Sequence, residues 1–273
     1  MKNIVLKIEE GVDPRDVHCT TYQMRNCFKQ FADGVAGALD AYCYFEHAFV
    51  AERISNGDAV LDVCCGKGLM IPFLRYGAKT PKAYVGVDIS SANAVFARGK
   101  DPRRPTSDKT NWGFEVHFVE SDVATMTDPV RQVHPKPFDW IVYTSAIEHM
   151  QPAAQQASLK CARELSQPGT ALYLTCPVTT DAGRTGYDTQ YAAHVYEPTE
   201  EELRAWLSAS DWKIRKRIGV LTKVSSIRER LTGSQLKGAE YLLGVMPRLQ
   251  ALTTIPILYP ACTDEIALLC EAI

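Results

Sequence analysis

Two glycines, three acids at the ends of apolar runs and two histidines further along are the residues of this chain best suited to chemistry. Gly66 and Gly68 close the stretch Asp62-Val63-Cys64-Cys65-Gly66-Lys67-Gly68, which follows the apolar run 59–63. Glycines there permit a tight turn and a close backbone approach to a ligand. A helix beginning near Leu69 would aim its free N–H groups at the same place. Asp88 ends a second run, Tyr84-Val85-Gly86-Val87-Asp88, and an ionised carboxylate there can accept both hydrogen bonds of a ribose diol. Ser121 and Asp122 follow a third run, where an Asp can accept from an adenine amino group. Each acid alone is also what a turn or a helix cap uses. In order along the chain, the three suit successive parts of one adenosyl ligand. The dinucleotide fingerprint G-x-G-x-x-G is broken, because Ile71 stands where its third glycine belongs, which argues against a nicotinamide enzyme.

These residues need a scaffold that brings strand ends together. Residues 16–54 read as two helices broken near Gly34 and Gly37, with aromatic and apolar residues at helical spacing (Tyr22, Phe28, Phe31, Val35, Leu39, Phe45, Phe49). Strand patterns at 59–63, 83–87, 114–119, 138–143 and 170–175 then alternate with helical patterns at 69–76, 90–99 and 153–165. Such alternation predicts a doubly wound, mostly parallel α/β sheet. Residues 101–112 are polar and proline-rich and predict a loop. Further on, Thr199 and Glu202 form a capping-box pattern that opens a helix over 199–208, with strands expected at 212–218 and 265–271. The expected organisation is an N-terminal helical cap over residues 1–55 and one α/β domain over 56–273. Within that domain, 220–260 is read as an inserted segment with a helical middle and an end broken by Pro247, Pro256 and Pro260.

Bulk composition narrows the function classes. The chain has 273 residues, 46% hydrophobic and 23% charged, enough for an ordinary buried core. Its net charge of -2 and pI near 6.3 argue against a partner held by its phosphates. Nine cysteines, an odd number without a C-x-x-C pair, suggest neither a disulfide framework nor a zinc ribbon, and no metal site is expected. The N-terminus lacks the apolar core of a signal peptide, and no run has the apolar length of a membrane span. The expectation is a cytoplasmic protein without a membrane partner. A homo-oligomer is compatible with the sequence.

The runs Val60-Leu61-Asp62-Val63-Cys64-Cys65-Gly66-Lys67-Gly68, Tyr84-Val85-Gly86-Val87-Asp88-Ile89, Glu120-Ser121-Asp122-Val123, Phe138-Asp139-Trp140-Ile141-Val142 and Leu165-Ser166-Gln167-Pro168-Gly169-Thr170 resemble the successive motifs of class I S-adenosylmethionine-dependent methyltransferases. The resemblance implies a Rossmann-like seven-stranded sheet whose last strand runs antiparallel, and S-adenosylmethionine as cofactor. It places Asp62, Cys64 and Gly66 around the methionine part, Asp88 on the ribose and Ile89 against the adenine. It places Ser121, Asp122 and Val123 at the adenine edge, and Thr144 and Ser145 on the sulfonium side. Cys64 departs from the family, which usually has glycine there. Arg25, Asn26 and Lys29, taken with the stretch 65–68, also carry a faint similarity to messenger-RNA cap guanine-N7 methyltransferases. In those enzymes a similar helix brings cations near the cofactor carboxylate, which implies that role for Arg25.

A sulfonium donor is already activated, so positioning and desolvation can supply most of the rate, and a hydroxyl acceptor adds the need for a base. His149, just past the fourth strand, and His194 are the candidates for a base or an acceptor anchor. Equally, Glu148-His149 could serve as wall. His194 lies in a polar loop over 178–198 that also holds Asp181, Arg184, Tyr187, Asp188, Tyr191 and Tyr196. The basic runs at 98–104 and 213–217 read as solvated faces. The expected reaction is methyl transfer to an oxygen or nitrogen of a small molecule, such as a sugar or a natural-product intermediate. The alternatives are an RNA methyltransferase and, from other classes, a nicotinamide oxidoreductase or a non-catalytic adenosyl-binding partner of another subunit.

Overall fold

Seven strands form one sheet in the order β3-β2-β1-β4-β5-β7-β6: β1 Ala59–Val63, β2 Ala83–Asp88, β3 Glu115–Glu120, β4 Phe138–Tyr143, β5 Ser166–Pro177, β6 Trp212–Leu221 and β7 Glu265–Ala272. The computed structural model describes residues 38–76, 79–93, 113–180 and 194–273. Arg25, the Gly34 and Gly37 break, the run 98–104 and loop residues 181–193 lie outside the described residues. The chain divides into two compact units, up to Asp122 and from Val123 onward.

In the first unit β1 is buried at every residue and β2 at all but its last, as parallel strands covered on both faces are. β1 pairs parallel with β2 and β2 with β3, so their carboxyl ends finish side by side. Helix α1 (Ala38–Ala51) and helix α2 (Met70–Tyr76) belong to this unit, and His47 of α1 stacks on Phe73 of α2 at 5.9 Å. Val60, Leu61, Tyr84 and Val85 are fully buried and make the centre of its core.

The second unit starts with α3 (Thr127–Val133), β4 and α4 (Pro152–Glu164), which opens on a proline, where an N–H would find no carbonyl within the helix and proline has none to leave unbonded. β4 pairs parallel with β5, and β7 pairs antiparallel with both β5 and β6. β5 starts at Ser166, earlier than the expected 170, because Phe138 already pairs with Ser166 before the register shifts at Phe138/Trp140. Helix α5 (Glu200–Ala209) has the expected capping box: the Thr199 hydroxyl accepts from the Glu202 N–H, and the Glu202 carboxylate accepts from the Thr199 N–H. β6 carries Lys213, Arg215 and Lys216 exposed along the sheet edge, where charge discourages strand addition. Arg215 donates twice to Glu271, at 2.8 and 2.9 Å.

The segment between β6 and β7 folds into three helices, α6 (Val224–Arg230), α7 (Gly233–Val245) and α8 (Arg248–Leu258). Pro256 sits inside α8 rather than breaking it. A proline cannot bond the carbonyl four residues back. That carbonyl, on Leu252, instead accepts the Thr222 N–H at 3.1 Å. Gly219 of β6 lets α8 approach, since a Cβ there would lie 2.6 Å from the Pro256 carbonyl oxygen. No helix among the described residues is long and apolar enough to cross a membrane.

Candidate functional site

The turn after β1 is built from left-handed backbone. Cys64, Gly66 and Gly68 have φ of 59°, 53° and 82°. Cys64 therefore takes the conformation that glycine adopts freely, at a cost of about 1–2 kcal/mol for a residue with a Cβ. Among the described residues nothing lies within 4 Å of a Cβ built on Gly66, so none of them blocks a close approach to its backbone. A Cβ on Gly68 would touch Ile71 at 3.2 Å and Phe118 at 3.3 Å.

Asp88 closes this turn from the next strand. Its carboxylate accepts the Gly66 N–H at 2.9 Å, the Ser90 N–H at 2.8 Å and the Asn93 side-chain amide at 3.2 Å. Ile89, the next residue, is 72% exposed, although it is a large apolar side chain beside a buried strand. The third strand end joins them through its backbone, where the Ser121 N–H donates to the Asp88 carbonyl at 3.1 Å. Ser121 is half-buried and Asp122 exposed; Val123, at the start of the other unit, is buried.

Asp62 differs from the other acids, being only 2% exposed. Burial pushes its carboxyl up from 3.8 to about 7; the Tyr84 hydroxyl, donating at 2.6 Å, opposes the rise and the charge of Asp88 adds to it. Cys65, next to the turn, is also buried, and its thiol is pushed well above the usual range, first by burial and then by Asp62 and Asp88. The first unit thus brings Asp62, Cys64, Gly66, Asp88, Ile89 and Ser121 to one edge of the sheet. No linear pattern marks Tyr84 as the partner of Asp62, nor Asn93 as a partner of Asp88. Tyr84 sits in an ordinary strand pattern, and nothing in that pattern shows where its hydroxyl goes.

A second cluster lies wholly in the other unit, at the carboxyl ends of β4 and β5. Thr144 and Ser145 are half-buried there. Ser145 has φ of 44°; its N–H donates to the Thr175 carbonyl and hydroxyl, and its hydroxyl donates to Glu265 at 3.1 Å. The chain then makes a short 3-10 turn, Ile147–His149, with Glu148 fully buried and His149 exposed. The Glu148 carbonyl accepts the N–H groups of Val195 and Tyr196 at 2.8 and 3.0 Å. The buried Gln155 amide bridges the carbonyls of Met150 and Tyr196 at 2.8 and 2.9 Å. These bonds fix the segment beginning at His194 against the turn.

His194 is consequently 7% exposed, and not part of a solvated loop. Its Nδ1 meets Glu197 at 2.5 Å, its Nε2 faces Glu148 at 3.9 Å, and its ring packs edge-on to that of His149 with centroids 5.1 Å apart. Glu197 and Glu265 are buried in the same unit, and Cys176 has its thiol pushed up by burial and then by Glu148, Glu265 and Glu197. Both expected histidines therefore meet in one place, with Glu197 as a partner that sequence reasoning missed. The i,i+3 spacing of His194 and Glu197 was the available signal.

The family model described as a methyltransferase domain matches residues 39–217, more than half of the chain. No curated protein matches the sequence. Among solved structures, an S-adenosylmethionine-dependent methyltransferase from Archaeoglobus fulgidus is 14% identical, with 90% of this chain and 99% of that one covered at a TM-score of 0.54. A 1,6-didemethyltoxoflavin N1-methyltransferase from Burkholderia thailandensis, solved with its acceptor and S-adenosylhomocysteine, is 16% identical, covering 92% and 87% at 0.50. A cyclopropane synthase from Mycobacterium tuberculosis is 13% identical, covering 85% and 84% at 0.52. At such identities the likeness is one of fold.

Proposed function

The chain belongs to the methyltransferase-domain family, with S-adenosylmethionine as its methyl donor, and from that premise we propose that it methylates an oxygen or nitrogen of a small molecule. The observation that carries the donor side is the Asp88 carboxylate, held at the end of β2 by the Gly66 and Ser90 N–H groups. A carboxylate offers about four acceptor positions. Among the described residues Gly66, Ser90 and Asn93 occupy three, so one ribose hydroxyl has a place and Asn93, the longest bond, yields to a second. Exposed Ile89 supplies apolar surface for an adenine face, and among the described residues none blocks a close approach of the methionine part to the Gly66 backbone. When bound, the cofactor supplies a methyl group already activated on a sulfonium. What the chain contributes is orientation and a dry approach for the acceptor.

For the acceptor we look to the second unit, where the ring of exposed His149 packs edge-on to that of His194 and Glu197 engages the His194 Nδ1. The pair serves to hold an acceptor heteroatom and to ease the loss of its proton. A small acceptor is supported by the net charge of -2, since a nucleic-acid enzyme gains most of its affinity from cationic surface. The two neighbours with named reactions act on quite different acceptors, so the acceptor class rests on charge and not on fold. The test is methyl transfer from radiolabelled S-adenosylmethionine into a whole-cell extract separated by size. Label in the small-molecule fraction is expected, and label confined to precipitated RNA or protein would overturn the reading.

A further inference from the structure

Glu148, His149 and His194 each present one ligand atom, and these atoms all lie within 4.8 Å of one another. We propose that this corner of the second unit is a divalent metal site, with one carboxylate and two imidazoles as ligands and Glu197 holding His194 from behind. The inference deepens the acceptor reading above and rests on it: the histidines hold the acceptor heteroatom and ease the loss of its proton through the cation they bind. Two ligands on one cation, at about 2.1 Å each, stand at most about 4.2 Å apart. Glu148 and the His194 Nε2 are already 3.9 Å apart, too long for a hydrogen bond and within reach of a shared ion. Small side-chain adjustments bring in the rest.

Three further observations point the same way. Nδ1 of His194 is engaged by Glu197 at 2.5 Å, the carboxylate–histidine arrangement that fixes a tautomer and leaves Nε2 to bind metal. The backbone bonds from Val195 and Tyr196 to the Glu148 carbonyl, with the Gln155 bridge, hold ligands 46 residues apart in one rigid corner. The corner also gathers buried Glu148, Glu197 and Glu265, among which a cation adds positive charge. Two imidazoles and a carboxylate suit manganese, iron, cobalt or zinc better than magnesium or calcium, which prefer oxygen ligands throughout. Three protein ligands leave coordination positions open for water or for an acceptor oxygen.

The experiment adds Mn2+ to the metal-stripped full-length chain and follows the free ion by electron paramagnetic resonance. Manganese is chosen because cysteine thiols compete poorly for it. One saturable Mn2+ per chain is expected. His149→Ala, at an exposed position, should weaken it at least tenfold, and Glu197→Gln should weaken it about tenfold through His194. Calorimetric titration of the same samples with S-adenosylhomocysteine reports whether the donor half is intact. No saturable Mn2+ binding, or equal binding by His149→Ala, overturns the metal site. If S-adenosylhomocysteine still binds, that failure leaves the methyltransferase reading standing; failure of S-adenosylhomocysteine alone strikes the donor reading and leaves the metal site.

Discussion

A carboxyl group buried as Asp62 is favours its neutral form, and the rise to about 7 has two measurable consequences. The folded value lies above the unfolded 3.8, so between about pH 4 and 7 the folded chain binds the proton more tightly. Stability contributed by this group is therefore greatest at the acid end and falls as pH rises through about 7. The full loss is at most on the order of 4 kcal/mol. Asp62→Asn, which can still accept from Tyr84, should remove that slope, and urea denaturation of the two proteins at pH 5 and pH 8 measures it. Ligand binding runs the other way. In the proposed site the ammonium of the cofactor's methionine part lies beside Asp62 and favours its ionised form, so affinity for S-adenosylhomocysteine should increase with pH through the same range. Tyr84→Phe removes the hydrogen bond that holds the carboxyl down and should move this midpoint upward, as calorimetry across pH will show. At this scale the sequence displayed the acids and glycines, because residue type and place at a strand end are both visible in a linear pattern. It hid Tyr84, Asn93 and Glu197, whose roles depend on which side chain reaches which across the fold.

Glycine marks where elements approach too closely for a side chain. A Cβ on Gly86 of β2 would lie 2.7 Å from the Cys65 Sγ, pressing on the turn that carries Gly66. Gly86→Ala should cost about 1–3 kcal/mol and weaken cofactor binding together, read by thermal denaturation and by titration. Gly219→Ala should cost a similar amount by pushing α8 off β6, where the blocking atom is backbone, while leaving S-adenosylhomocysteine affinity unchanged. Thr199→Ala removes half of a capping box and should destabilise by about 1 kcal/mol in the same assay. Strands β1 and β4 match their apolar runs residue for residue, since buried parallel strands announce themselves by composition. The early start of β5 did not show, because Gln167, Pro168 and Gly169 look like a turn and form the irregular stretch between Ser166 and Ala171, which pair with Phe138 and Trp140 of β4. Pro256 misled for a related reason: the Thr222 N–H that makes it tolerable comes from a distant segment.

For the whole molecule, the alternation of strand and helix patterns foretold a doubly wound, mostly parallel sheet, the resemblance to class I methyltransferases added seven strands with an antiparallel last one, and the strand order and pairing bear out both. Helix–strand alternation is a local signal repeated many times, which makes topology more legible than any single side chain. The acceptor is less legible, because the net charge of -2 speaks to a class of partner and not to a compound. That charge predicts no salt-dependent RNA retention; binding that falls tenfold or more between about 50 and 200 mM salt would point to a phosphate-rich acceptor instead. The carboxyl ends of β1, β2 and β3 are proposed to hold one adenosyl cofactor. Calorimetric titration of the full chain with S-adenosylhomocysteine, beside Asp88→Ala, decides whether they do. One saturable site per chain is expected, weakened at least tenfold by the substitution with the fold intact by circular dichroism; no saturable heat in the unsubstituted chain, or equal affinity in Asp88→Ala, overturns the assignment.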